Sequence, residues 1–180
     1  MGSKYDPLKH HRRSIRLKGW DYTYPGAYFV TICTYHRQCL FDNPRYREIA
    51  ENAWRYIPNQ PHAKHAVLDD WIVMPNHLHA IIILTEKEGE PATKPPDIGA
   101  APGSLPSIVG TYKSMVTRRI NNLRGSPGGK VWQRGSYERI VRNERELNAI
   151  RRYIRANPSR WAGDRENLDS LIAKMQKINP

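Results

Sequence analysis

Apolar positions along this chain repeat with two periods, and the points where the period changes mark out its elements. Ala27 Tyr28 Phe29 Val30 Thr31 Ile32 Cys33 Thr34 Tyr35, dense in β-branched and aromatic residues, predicts a strand. From Pro44 to Arg55 the pattern turns helical: Ile49, Ala50, Ala53, Trp54 and Ile57 recur at helix spacing, with Asn43 as N-cap, proline in the first turn and an end near Pro58. Residues 66–74 predict a second strand, Pro75 Asn76 a turn, and His77 to Leu84 a strand that returns antiparallel. Ser107 caps a predicted helix to Leu123 whose buried arc is Ile108, Tyr112, Met115, Val116, Ile120 and Leu123. After the Ser126 Pro127 Gly128 Gly129 break, residues 130–142 predict a strand. Asn143 then caps a helix from Glu144 to Asn157 that Pro158 stops.

The order strand, helix, strand, strand, helix, strand, helix is the βαββαβ pattern of an α+β, ferredoxin-like antiparallel sheet, with its helices on one face and a C-terminal helical extension. We expect a basic arm over residues 1–20, one domain over 21–162, and a helix or tail over 163–180 carrying Leu168, Leu171, Ile172, Met175 and Ile178. Residues 85–107, with five prolines and three glycines, read as a flexible insertion.

Within this pattern His77 and His79 interrupt an otherwise apolar strand. Residues two apart on a strand share a face, so both imidazoles project together from a surface rich in isoleucine. They are either a hydrogen-bonded pair or two ligands of a divalent ion whose third ligand comes from elsewhere, since no Asp or Glu lies in that strand. Of the other histidines, His62 and His65 read as residues of a loop leading into a strand.

Charge narrows the class. Lys and Arg number 29 against 17 Asp and Glu, for a net +12, and residues 108–165 hold 14 basic and 4 acidic side chains. Such an excess, interleaved with Trp132, Tyr137, Tyr153 and Trp161, suits a polyanionic partner and favours nucleic acid. Cys33 and Cys39 form no metal or disulfide framework and are expected reduced. No apolar run reaches the length of a membrane span, and the start of the chain lacks the apolar core of a signal peptide, which predicts a cytoplasmic protein without membrane contact.

On the predicted helix 144–157, Leu147, Ile150 and Ile154 make the core stripe and Tyr153 lies at its edge, about 60° from Ile150. Asn157 follows one turn later on nearly the same face. Tyr153 is then either an edge-of-core aromatic or a phenol reaching a cleft, and Asn157 either a C-cap or an amide ligand. Tyr137, in a predicted strand, is the rival tyrosine.

Met74 Pro75 Asn76 His77 Leu78 His79, then Tyr112 Lys113 Ser114 before Thr117 Arg118, then Val131 Trp132 Gln133 Arg134, and finally Tyr153 Ile154 Arg155 Ala156 Asn157 Pro158 resemble the single-tyrosine HUH transposases, most closely the REP-associated tyrosine transposase branch. The likeness spans roughly residues 15–162 with its motifs in consistent order. It implies nicking and joining of single-stranded DNA at hairpin-flanked repeats, in transposition or repeat dispersal, through a 5′-phosphotyrosine. It implies Tyr153 as nucleophile and His77 and His79 as ligands of Mg²⁺ or Mn²⁺. Asn157 stands where insertion-sequence members have a glutamine ligand, one methylene longer. A monomer or a homodimer is compatible with it.

Arg118, Arg134, Arg139, Arg142, Arg151 and Arg155 are the candidate phosphate contacts. The sequence offers no evident general base for Tyr153. Two other readings compete: a non-catalytic RNA or single-stranded DNA binding module of ferredoxin-like fold, and a zinc hydrolase in which water attacks.

Overall fold

In the computed structural model, which describes residues 20–86 and 100–161, Gly26–Cys33 (β1), Ala66–Met74 (β2), His77–Leu84 (β3) and Tyr137–Val141 (β4) form one antiparallel sheet. The strand order is β2-β3-β1-β4, the ferredoxin-like arrangement that the element order predicts. The expected arm over residues 1–19, the centre of the insertion over 87–99, and the final helix around Leu168 lie outside the described residues.

Alternation along the strands divides the core in two. Tyr28, Val30 and Ile32 of β1 and Leu78, Ala80 and Ile82 of β3 face helices Pro44–Arg55 (α1) and Leu105–Leu123 (α2). There Trp54 and Tyr112 meet edge to face with ring centres 5.0 Å apart, and both are fully buried. The odd-numbered residues point the other way. Phe29 of β1 and Ile81 of β3 pack under Leu147, Ile150 and Ile154 of a third helix, Glu144–Arg160 (α3). The two helices of the split unit thus share one face, and the added helix covers the other, the face that carries the histidines.

The local signals place most boundaries. Asn43 caps α1, its side chain accepting the Arg45 N–H at 3.0 Å, and Asn143 caps α3 in the same way through Glu146. Some boundaries differ from expectation. Helix α2 starts two residues before Ser107 and is capped by Ser104, which accepts the Ser107 N–H. Pro106 therefore belongs to the first helical turn, where its missing N–H costs nothing, and not to the insertion. At the other end of α2, Leu123 is exposed and outside the buried arc.

The strand expected over residues 130–142 shrinks to β4. Gly135 turns with a φ of 78°, leaving Trp132 in a single bridge to Thr34. Helix α3 continues past Pro158 to Arg160, and the Trp161 N–H closes the last turn on the Pro158 carbonyl. A proline this near a helix end removes only one backbone bond. Asn157 consequently sits inside the helix and is buried; it is not a C-cap.

Candidate active site

The register that pairs Thr31 with His79 and Cys33 with His77 sets both imidazoles beneath α3 at the end of the sheet nearest the Pro75 Asn76 turn. Their ring centres are 4.4 Å apart. His79 is fully buried: Phe29 stacks on it at 5.5 Å, and its Nδ1 lies 2.8 Å from Thr31 Oγ1. His77 Nδ1 lies 2.6 Å from the side-chain oxygen of its neighbour Asn76, so in a neutral ring Nδ1 donates and Nε2 keeps its lone pair. That Nε2 is buried and has no hydrogen-bond partner.

Tyr153 reaches this pair from α3. Its hydroxyl lies 3.0 Å from His79 Nε2, and its ring centre is 5.2 Å from the imidazole. The tautomer with the proton on Nδ1 donates to Thr31 and presents the Nε2 lone pair to the phenol. Tyr137, the rival, is buried against Phe29 at 6.2 Å. Asn157 is buried one turn beyond Tyr153, and the Trp161 ring lies 6.0 Å from His77.

Burial holds both histidines neutral. It takes the His77 imidazole down to about 4, helped by the positive charge of Arg37, and takes His79 well below its ordinary value, helped by His77. The folded protein therefore binds fewer protons than the unfolded chain below pH 6.5, and stability must fall as pH drops from there toward 4. Each histidine contributes up to about 1.4 kcal/mol per pH unit in that window. Urea unfolding of the metal-free protein at pH 7 and pH 5 measures this loss, and His77→Ala removes its own share.

Of the six candidate phosphate contacts, Arg118, Arg134 and Arg142 are exposed. The other three are paired within the chain: Arg139 with Glu146, Arg151 with Asp69, and Arg155, which is itself exposed, with Asp70. The motif segments at 112–113 and 131–133 meet each other. Lys113 Nζ donates to the Gln133 carbonyl at 2.7 Å, and Trp132 Nε1 donates to the Lys113 carbonyl. They brace α2 against the crossover into β4. His65 Nε2 pairs with the Gly103 carbonyl at 2.8 Å, which gives it a structural role at the start of β2.

Sequence reasoning missed Thr31, Asn76 and the turn after β1. His36 and Arg37 there adopt left-handed φ of 51° and 54°, held by Thr34, whose hydroxyl donates to the Gln38 and Asn76 carbonyls. Consecutive left-handed residues that are not glycine cost on the order of 1–2 kcal/mol each. Histidine is among the residues enriched at positive φ, but the arginine type at 37 gives no such signal. Among the described residues no group of three His, Cys, Asp or Glu side chains converges, and the buried amide of Asn157 and the phenol of Tyr153 are the oxygen-bearing side chains that sequence reasoning adds to the histidines.

No family model matches the chain. An uncharacterized protein of Haemophilus influenzae (strain ATCC 51907 / DSM 11121 / KW20 / Rd) is 36% identical over 186 residues, which cover 94% of this chain and 100% of that protein. Among solved structures, a REP-associated tyrosine transposase bound to a REP hairpin superposes with a TM-score of 0.52 at 16% identity, covering 81% of this chain and 73% of that one. At that identity the shared property is the fold.

Proposed function

We propose that this chain, which belongs to the same family as the Haemophilus influenzae protein and has the fold of a tyrosine transposase, nicks and rejoins single-stranded DNA beside hairpins in a metal-dependent reaction, through a 5′-phosphotyrosine. The observation that carries this reading is the Tyr153 hydroxyl 3.0 Å from His79 Nε2 with His77 beside it. A structural tyrosine at the edge of a core needs no such arrangement of neutral imidazoles.

His77, His79 and Asn157 would hold a divalent ion, Mg²⁺ or Mn²⁺. Their chemistry fits: two imidazoles kept neutral by burial, one with an unused buried nitrogen, and a buried amide one turn from the phenol. When bound, such an ion withdraws charge from the non-bridging oxygens of a phosphodiester. Thr31 and Asn76 orient the two rings through Nδ1, the supporting role that carbonyls and carboxylates play for other histidine ligands.

The phenol is the attacking group. Tyr153 Oη forms a bond to phosphorus while the bond to the 3′ oxygen breaks, and that oxygen takes up a proton to become a free hydroxyl. His79 Nε2 has a single lone pair, so when it holds the ion the phenolic hydrogen would leave to solvent as the oxygen swings toward phosphorus. One phosphodiester replaces another, so a DNA 3′-hydroxyl reverses the step without a nucleotide cofactor. Exposed Arg118, Arg134 and Arg142 supply charge for the DNA backbone. We read the domain as residues 21–162, with the basic segment 1–20 as an added electrostatic contact.

The direct test is incubation with end-labelled, hairpin-forming single-stranded DNA from the flanks of the chain's own gene, with and without Mg²⁺ or Mn²⁺. A denaturation-resistant protein-DNA adduct that requires the ion is expected. Tight binding that is indifferent to chelator, with neither adduct nor nick on any hairpin, assigns the protein to the binding modules instead.

A further inference from the structure

Three of the arginines that composition marks for DNA are occupied in holding α3 across the sheet. Opposite residues 82 and 80 of β3, strand β2 pairs Leu68 and Trp71, so three steps on one strand face two on the other. The extra residue is a β-bulge. Strict alternation would send Asp69 and Asp70 to opposite faces; the bulge lets both carboxylates turn to the α3 side, opposite Ile81.

Both find partners there. Asp69 takes the Arg151 guanidinium in a two-pronged contact, Nη2 to Oδ2 at 2.6 Å and Nε to Oδ1 at 3.0 Å. These bonds hold the Asp69 carboxyl below its ordinary value. Arg155 meets Asp70, with Nε 2.7 Å from Oδ2. On the opposite side of the helix, Arg139 of β4 donates through Nε to Glu146 at 2.6 Å, and the same carboxylate accepts the Arg142 N–H at 2.9 Å.

The helix is thereby pinned at both outer strands, with Tyr153 between the pins and above central β3. Arg151 and Arg155 flank Tyr153 by two residues on each side, so they anchor the very turn that carries the phenol. An isolated exposed ion pair is worth little, but Asp69 and Arg151 are largely covered and meet in the fork geometry that resists rotation.

We infer that Asp69 and Asp70, raised together on the β2 bulge, are positioning residues for Tyr153: they fix the register of α3 over the histidines through Arg151 and Arg155, and these arginines serve the helix and not the DNA backbone. The consequence for the reaction rests on the proposed tyrosine chemistry; the docking of α3 does not.

The test uses the full chain carrying Asp69→Asn, Asp70→Asn, Arg151→Ala, or the charge reversal Asp69→Arg with Arg151→Asp. With hairpin DNA, single-turnover adduct formation in Asp69→Asn slows about tenfold or more, since small misplacements of a reacting group are costly. Hairpin affinity stays within about twofold of the unaltered protein, because no phosphate contact is lost, and the charge reversal recovers most of the rate. Asp70→Asn shows a smaller change in the same direction. Amide exchange read without DNA is the independent arm: α3 amides exchange faster in Asp69→Asn, while α1 and α2 amides do not. That arm holds or fails even if the unaltered protein forms no adduct. Unchanged α3 exchange overturns the inference. So does an Arg151→Ala protein whose affinity loses about one unit of slope against log salt, which would give Arg151 to a DNA phosphate.

Discussion

Tyr153→Phe is expected to leave no protein-DNA adduct and to reduce nicking by at least about 10³-fold, the scale on which removing a nucleophile acts. The substitution deletes one oxygen from a ring whose contacts with Phe29 and His79 remain, so folding and hairpin binding should be preserved. The same variant makes a second, less obvious prediction. In the structure the phenol occupies the Nε2 lone pair of His79, the only nitrogen of that ring left for a metal once Thr31 has Nδ1. Removing the hydroxyl removes a competitor worth about 1 kcal/mol, so Mn²⁺ titrated into Tyr153→Phe should bind roughly fivefold more tightly than to the unaltered protein. Nicking that survives in Tyr153→Phe without any adduct would instead point to attack by water.

His77→Ala carries the next largest effect, and its value lies in the contrast with His79→Ala. Both variants should lose measurable Mn²⁺ binding and at least about 10³-fold in adduct formation, because several kcal/mol of charge stabilisation at phosphorus goes with the ion. Their stabilities should differ. His79 is fully buried, stacked on Phe29 and bonded to Thr31 and Tyr153, so truncation leaves a cavity and unpaired hydroxyls and costs about 2–4 kcal/mol. His77 keeps one buried ring nitrogen without a partner, and deleting it removes that unfavourable burial, which offsets much of the lost packing. Chemical denaturation alongside the adduct assay separates the two cases. A His77→Ala protein with the full rate would mean that the imidazole pair serves packing alone. Metal analysis of the purified protein, followed by add-back of Mg²⁺, Mn²⁺ or Zn²⁺, addresses the zinc hydrolase reading.

Much of this architecture was legible along the chain, for identifiable reasons. The switch from two-residue to helical spacing at Pro44, the N-caps at Asn43 and Asn143, and the turn at Pro75 Asn76 are all local signals, written within a few neighbouring residues. They suffice for the element order, and the element order leaves few sheet topologies open. The misjudged boundaries have local causes too: Pro106 and Pro158 read as breaks although each sits in a terminal helical turn, where a missing N–H matters least.

What the sequence determined by itself was which residues share a face: His77 with His79 on one strand, and Tyr153 with Asn157 along one helix, because strand and helix periods are properties of the backbone. Only the tertiary structure decided that Tyr153 meets His79. That step depends on the register between β1 and β3, which delivers Thr31 to His79, and on the bulge that turns both Asp69 and Asp70 toward α3. Each joins residues tens of positions apart, with no trace in the local pattern. The same cause explains the arginines: composition counts Arg139, Arg151 and Arg155 only as positive charge, and the fold brings a carboxylate to each, with Arg155 still exposed.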